Sequence, residues 1–462
     1  MTHRLFQKQT TGMQASLMNG SARYVRHAIN LYSENPMRCV SHTDLLYATI
    51  GQVCCMKLLS LFSGCGGMDI GFEGDFLCLK KSINSDMHPE WIKETHGDWV
   101  KVQPTSFETV FANDIRPEAK VAWCSYFNQS KPESVYHLGS IVELVKESRA
   151  GGKIFPEDID IVTGGFPCQD FSVSGKRLGL NSQKSHLGLK LADDEPTIEN
   201  RGHLYIWMRD VISLTSPKMF VAENVKGLTN LEDVKQVIEH DFSKAGKGGY
   251  LVIPAKVLSA DDYGVPQSRE RVIFFGFRND LLRPEARAAL SQDEIPQEYD
   301  PYPVKTHGAG LWPYVTCADA FADLSEPELS SDPSQKKYSK AKYMGTHCQG
   351  QTEVRLNSVG PTIRSEHHGN IEFRRLSREH GGRHEDELKA GLQERRLSVR
   401  ECARIQTFPD NYQFIIKKQG DSVGVSASEA YKIIGNALPC VMAYHLAKNL
   451  ESKWDRYFGT NP

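Results

Sequence analysis

The chain has 462 residues, 40% hydrophobic and 24% charged, with a formal net charge of −2, a balance that excludes a disordered or collagen-like protein. No apolar run approaches the roughly 18 residues that cross a bilayer, and Met1 to Tyr32 lacks the apolar centre of a signal peptide, so a cytoplasmic protein with no membrane partner is expected. Net charge near zero argues against indiscriminate coating of nucleic acid, yet leaves room for a local basic cleft.

The 11 cysteines are odd in number and form no CxxC pair, and the adjacent Cys54 and Cys55 cannot make an ordinary structural bridge, so reduced thiols are expected. Hydrophobic cores tend to split beyond roughly 250 to 300 residues, which predicts a large lobe plus a smaller one.

Residues 1–55 read as an N-terminal extension of unknown role, helical around Ala22 to Tyr32; Met56-Lys57-Leu58-Leu59 would itself make a natural start. The first strong strand signal, Met56 to Phe62, ends in the turn Ser63-Gly64-Cys65-Gly66-Gly67 and continues into a helical pattern. Further short apolar runs occur at Thr109 to Ala112, Ile159 to Val162, Met219 to Ala222 and Val272 to Phe277, with helical patterns such as Leu204 to Leu214 between them. This alternation predicts an α/β fold with a doubly wound, mostly parallel sheet over residues 56–278. After Arg278, Pro296 to Gly310 and Glu326 to Ser339 are rich in Pro, Ser, Asp and Lys without a clear period, which predicts a second, loop-rich domain over 279–394. Residues 395–462 return to helix, with a Gly-Asn turn at Gly435-Asn436.

The glycines after the first strand let the backbone turn sharply and approach a ligand, although a purely structural turn would look much the same. Asp114 strengthens the ligand reading, because a carboxylate at the end of a second strand is placed to bond ribose hydroxyls. No phosphate-binding lysine follows the turn, which favours an adenosine ligand without phosphates.

Gly164-Gly165-Phe166-Pro167-Cys168-Gln169 follows the strand at Ile159 to Val162, at the carboxyl edge where open α/β sheets bind ligands. Most cysteines are small buried hydrophobes, whereas Cys168 sits on a polar loop beside the proposed cofactor turn. Glu223-Asn224 ends another strand and could merely cap the next helix. Arg269 and Arg271 lie at period two leading into Val272 to Phe275, so both can face one side, with a solvated charged edge as the bland alternative.

These segments resemble the DNA cytosine C5-methyltransferase family. Phe62 to Gly67 resembles its cofactor turn, Gly165 to Ser174 its Pro-Cys block, and Glu223-Asn224-Val225 its Glu-Asn-Val block. Gln267 to Arg271 is similar to its Gln-x-Arg-x-Arg block, Arg396 to Arg404 with Phe408-Pro409-Asp410 to the ninth block, and Gly435 to Pro439 to the tenth. Six such blocks in order could hardly arise by chance.

The resemblance implies S-adenosylmethionine as cofactor, lined by Phe62, Cys65, Gly66, Gly67, Asp114, Ile115, Ser140, Ile141, Pro167, Leu204, Asn436 and Ala437. Ser140 stands where the family often has Asp. Cys168 is implied as the nucleophile adding to cytosine C6, with Glu223 serving N3 and the amine, Arg271 contacting O2, and Arg269 holding the nucleophile loop. The target base must leave the stack, and Ser172 to Arg201, with an insertion around Gln183 to Glu199, is the expected closing element.

The implied partner is a specific double-stranded DNA sequence, bound by a monomer, with a separately acting restriction endonuclease as a further partner. DNA contacts are expected from Gln169, Ser172, Ser174, Lys176, Arg364, His367 and His368. Lys336, Lys337, Lys340, Lys342, Arg355, Arg374 and Arg375 are further candidates for phosphate and base-edge contacts. The His pair has no Cys or carboxylate at ligand spacing, so no metal is expected. The alternatives are a tRNA cytosine methyltransferase, which the long recognition region disfavours, and a catalytically silent DNA-binding regulator, which the intact catalytic set disfavours. A small-molecule methyltransferase would have no need of so large a second lobe.

Overall fold

The computed structural model describes residues 55–128, 131–167, 204–230, 234–365 and 370–459, all within one compact unit, Cys55–Pro462. The helix expected at Ala22 to Tyr32, the closing element, Cys168, Gln169, Ser172, Ser174, Lys176, His367 and His368 lie outside the described residues.

The expected alternation is present, in chain order, as β1 (Met56–Leu61), α1 (Gly67–Glu73), β2 (Phe107–Asp114), α2 (Pro117–Phe127), β3 (Tyr136–Leu138), α3 (Ile141–Arg149), β4 (Ile161–Gly165), α4 (Leu204–Thr215), β5 (Met219–Val225), α5 (Val234–Ser243), β6 (Tyr250–Ser259) and β7 (Glu270–Arg278). The sheet runs β3-β2-β1-β4-β5-β7-β6. Every described pairing is parallel except those of β7, which is antiparallel to both β5 and β6.

Strands covered on both faces read as continuous apolar runs, because each successive side chain enters a different core layer. In β7, Ile273, Phe275 and Phe277 pack with Ile70, Trp123 and Tyr444 from α1, α2 and the C-terminal helix, whereas Val272 and Phe274 pack with Val142, Val211 and Phe242 from α3, α4 and α5. The result is a three-layer sandwich.

Two sheet strands escape a periodicity reading. β3 has only three residues, and β6 carries Pro254 where its pairing with β7 shifts register, as an edge strand can tolerate. Among the described residues no helix is long and apolar enough to cross a membrane. The eight described cysteines are free thiols.

After β7 come short helices and loops, then α6 (Val399–Ile405), α7 (Ala427–Asn436) and α8 (Cys440–Phe458). Gly435-Asn436, expected as a turn, forms the end of α7 instead, and the chain turns out of the helix at Ala437. The long α8 returns to cover α1, and glycine makes that approach achievable. A Cβ on Gly71 would stand 2.5 Å from the carbonyl oxygen of Cys440 and 2.7 Å from the amide nitrogen of Tyr444, which are backbone atoms with nowhere to go. Gly71→Ala is therefore expected to cost about 1–3 kcal/mol, read as a lowered midpoint in denaturant unfolding; an unchanged midpoint would mean that α8 does not sit this close.

One expectation for residues 279–394 is overturned. Arg374 and Arg375 are 8% and 0% exposed and cannot reach DNA phosphates. The ladder of Phe373–Arg375 with Arg395–Arg396 instead gathers four arginines inside the protein, of which Arg396 donates to main-chain carbonyls such as that of Gly350 at 2.6 Å and the other three meet carboxylates. Arg375 pairs with Glu326 at 2.7 Å and Glu387 at 2.6 Å, Arg374 with Glu387 at 2.7 Å, and Arg395 with Glu401 at 2.8 Å and Glu326 at 2.9 Å. Three guanidinium groups meet three carboxylates, so charge is balanced where desolvation would otherwise be prohibitive. Lys336, Lys337, Lys340, Lys342 and Arg355 are exposed, while Arg364 is partly exposed and bonds Glu372 at 3.0 Å.

Candidate active site

Because β1, β2, β4 and β5 are parallel, their carboxyl ends share one edge of the sheet. There the chain places the glycine turn, Asp114, Gly165 and Glu223.

The turn after β1 is held on all sides. Phe62, Gly64 and Gly66 have φ of 53°, 55° and 79°, and a bulky residue in this region is strained by about 1–3 kcal/mol. The Ser63 amide donates to the Asn113 carbonyl at 2.8 Å, the Tyr136 hydroxyl donates to the Gly64 carbonyl at 3.0 Å, and the Tyr412 hydroxyl donates to the Cys65 carbonyl at 2.7 Å.

The glycines serve different purposes. A Cβ on Gly66 would stand 2.7 Å from the Trp123 ring and one on Gly67 would strike the Leu438 carbonyl, so these two permit packing. At Gly64 nothing lies within 4 Å of the Cβ direction. Gly64 is thus the point where a ligand can approach the main chain.

Asp114 braces the same turn, accepting from the Gly64 amide at 3.0 Å and the Arg116 amide at 2.9 Å. Burial pushes its pKa up, against the pull of those two amides and the Arg116 charge. A carboxylate has about four acceptor sites, so Asp114 keeps capacity for the hydroxyls of a bound ribose. Ile115 and Leu138, at the ends of β2 and β3, are exposed apolar side chains that can cover a planar base. An adenosine-bearing cofactor without phosphates fits these residues.

The second half of the site lies where β4 meets β5. Gly165 is in register with Glu223, and a Cβ there would stand 2.7 Å from Glu223 Oε2; only glycine leaves room for that carboxylate. Arg271 Nε contacts Glu223 Oε1 at 2.6 Å. Burial raises the Glu223 pKa, and the charges of Arg271 and Arg269 oppose that rise. The Asn224 side chain donates to the Phe166 carbonyl at 3.2 Å, which fixes the main chain just before Pro167 and Cys168.

Arg269 and Arg271 both act on Glu223, but their bonds diverge. Arg269 donates to the carbonyls of Ile363, Gly435 and Ala437 at 3.1, 2.8 and 2.9 Å. Asn436 is exposed, and Ala437 and Pro167 are half-buried.

Three expected cofactor residues turn inward. Cys65 has no exposed surface, and Ile141 and Leu204 are 3% and 4% exposed, so their side chains build the core and only their main chain can face a ligand. Ser140 caps α3 by accepting from the Val142 amide at 3.3 Å.

Tyr136, Tyr412 and Asn224 matter to this edge as much as the glycines do, yet sequence reasoning assigned them no role. Isolated tyrosines carry no spacing signal, and Asn224 was legible only as the middle of its block.

The sequence profile described as C-5 cytosine-specific DNA methylase matches residues 56–452. Among relatives, the chain is 34% identical to "Type II methyltransferase M.BspRI" of Lysinibacillus sphaericus, over 85% of this chain and 81% of that protein. It is 31% identical to "Type II methyltransferase M.BsuRI" of Bacillus subtilis, over 88% and 82%. Identity to "Type II methyltransferase M.NgoPII" of Neisseria gonorrhoeae is 28%, over 87% and 97%.

Proposed function

The chain belongs to the C-5 cytosine-specific DNA methylase family, and from that premise we propose that it methylates cytosine C5 within a specific duplex DNA sequence through covalent addition of Cys168. It is a DNA (cytosine-5) methyltransferase. The observation that carries the mechanism is the Glu223 carboxylate, paired to Arg271 and buried over Gly165, which stands three positions before the proposed nucleophile in the chain.

Cytosine C5 is a poor nucleophile until something adds at C6. In the proposed reaction the Cys168 thiolate forms the S–C6 bond, and the electron pair displaced toward N3 is met by a proton held on Glu223. The raised Glu223 pKa suits this role, since burial favours the neutral acid. Arg271 steadies the carboxyl group and is placed to meet the base's O2.

S-adenosylmethionine, when bound, supplies the electrophilic methyl group that C5 accepts. Phe62, Gly64, Asp114, Ile115, Asn436 and Ala437 are the residues proposed to hold it. Loss of the C5 proton, with water as its proposed acceptor, then breaks the S–C6 bond and frees Cys168.

Attack at C6 requires the base to leave the stack, at a cost of a few kcal/mol, and Ser172 to Arg201 is the proposed closing element. The proposed recognition region is 279–394, where Lys336, Lys337, Lys340, Lys342 and Arg355 are exposed cations. His367 and His368 are proposed as polar DNA-facing groups in the same region. The relatives' description as type II methyltransferases supports a place beside a separate restriction endonuclease, with this chain acting as a monomer.

Cys168→Ser is expected to abolish transfer of labelled methyl to duplex DNA while DNA affinity stays within about twofold, since the hydroxyl is far less ionised than a thiol. Transfer at the wild-type rate would remove Cys168 from the mechanism.

A further inference from the structure

Gln267 and Gln406 are fully buried amides. Gln267 Nε2 donates to Gln406 Oε1 at 3.0 Å and to the Ile405 carbonyl at 3.2 Å, and its Oε1 accepts from the Ile363 amide at 3.0 Å. Gln406 Nε2 donates in turn to the carbonyls of Ile434 at 2.7 Å and Ala437 at 3.1 Å. A continuous polar link thus runs from the recognition segment at Ile363 to the end of α7 at Gly435–Ala437. Arg269 bonds the carbonyls at both of its ends.

Two further features lock the link in place. A Cβ on Gly435 would strike the main chain of Arg364, so recognition segment and helix end are in backbone contact. Thr407, next to Gln406, holds a φ of 58°, which a β-branched residue adopts only when its surroundings over-determine it. Its hydroxyl accepts from the Val441 amide at 3.0 Å and donates to the Gln406 carbonyl at 2.7 Å.

We propose that Gln406 is a positioning residue that makes the recognition segment at Ile363–Arg364 and the end of α7 at Gly435–Ala437 a single mechanical unit. DNA held by the segment and S-adenosylmethionine held by the helix end then reinforce each other's binding. The proposal rests on the cofactor and DNA assignments above. Buried, fully bonded amides resist deformation, and two ligands that order the same element are thermodynamically coupled, each improving the other's affinity by the same factor.

The test is calorimetric titration of S-adenosylmethionine into the full chain, with and without a saturating duplex that the wild type methylates. The wild type should bind S-adenosylmethionine about five- to tenfold more tightly with the duplex present, within the usual span of such couplings. Gln406→Met, which keeps the volume and removes the amide, should weaken binding by roughly tenfold and cut the duplex-dependent gain below about twofold. Gln267→Met, severing the recognition side, should remove the same gain with a smaller loss of affinity.

A lowered melting temperature with the wild-type gain retained in either variant would reduce the amide pair to packing and overturn the proposal. A wild-type chain that transfers methyl groups but shows no duplex-dependent gain would overturn it as well, while leaving the function standing. A wild-type chain that does not bind S-adenosylmethionine would overturn both.

Discussion

Glu223→Gln is expected to lower methyl transfer about 10²- to 10⁴-fold, the usual contribution of a positioned acid or base. The glutamine oxygen can still accept from Arg271, now at 2.6 Å from Glu223 Oε1, and the amide fills the same space over Gly165. The fold should therefore persist, and the loss should appear in turnover more than in DNA affinity.

The pH profile adds a second reading. Burial raises the Glu223 pKa, so the protonated form that donates to N3 survives to higher pH than on an exposed glutamate. Activity dependent on that proton falls as pH rises through the raised pKa. The amide has no such titration, so the residual activity of the variant should lack that descending limb. Rates within threefold of wild type, or an unaltered alkaline limb, would take Glu223 out of the proton transfer.

Glu401→Ala should produce the largest loss of stability. Glu401 and Arg395 have side chains 2% and 4% exposed and meet at 2.8 Å. Glu401 also completes the capping box of α6, accepting from the Ser398 amide at 2.8 Å. Removing it strips a buried guanidinium of one of its two carboxylates and the helix of a cap.

Breaking a buried pair costs about 3–5 kcal/mol. Glu326 still contacts Arg395 at 2.9 Å, so the low end applies, about 3 kcal/mol, or roughly 3–4 °C in Tm for a unit of this size. The change should be visible in reversible denaturant unfolding. A loss under about 0.5 kcal/mol would mean that Arg395 reaches water in solution.

How far each element was legible follows from how far its determinants lie along the chain. β1, its glycine turn and α1 are contiguous, so strand periodicity and turn chemistry announce them together. α4 ran as expected from Leu204, ending at Thr215. β6 was hidden by Pro254, which normally argues against a strand and is tolerated here because the strand is an edge. The glycines were legible as a turn, but not in their division of labour: only the packed chain shows Gly66 and Gly67 facing Trp123 and Leu438 while Gly64 faces open space.

The order of the motif blocks, the alternation of strands and helices, and the carboxylates at strand ends were all determined by the sequence, because each depends on neighbours a few residues away. Tertiary structure alone decided the fate of the polar side chains. Arg374 and Arg375 look like the exposed lysines of the same region until Glu326, 49 residues from Arg375, draws that guanidinium inward. Arg269 reaches Gly435 across 166 residues. Whether a charged or amide group meets water, DNA or a buried partner depends on what the fold brings opposite it, and no local pattern of residues encodes that partner.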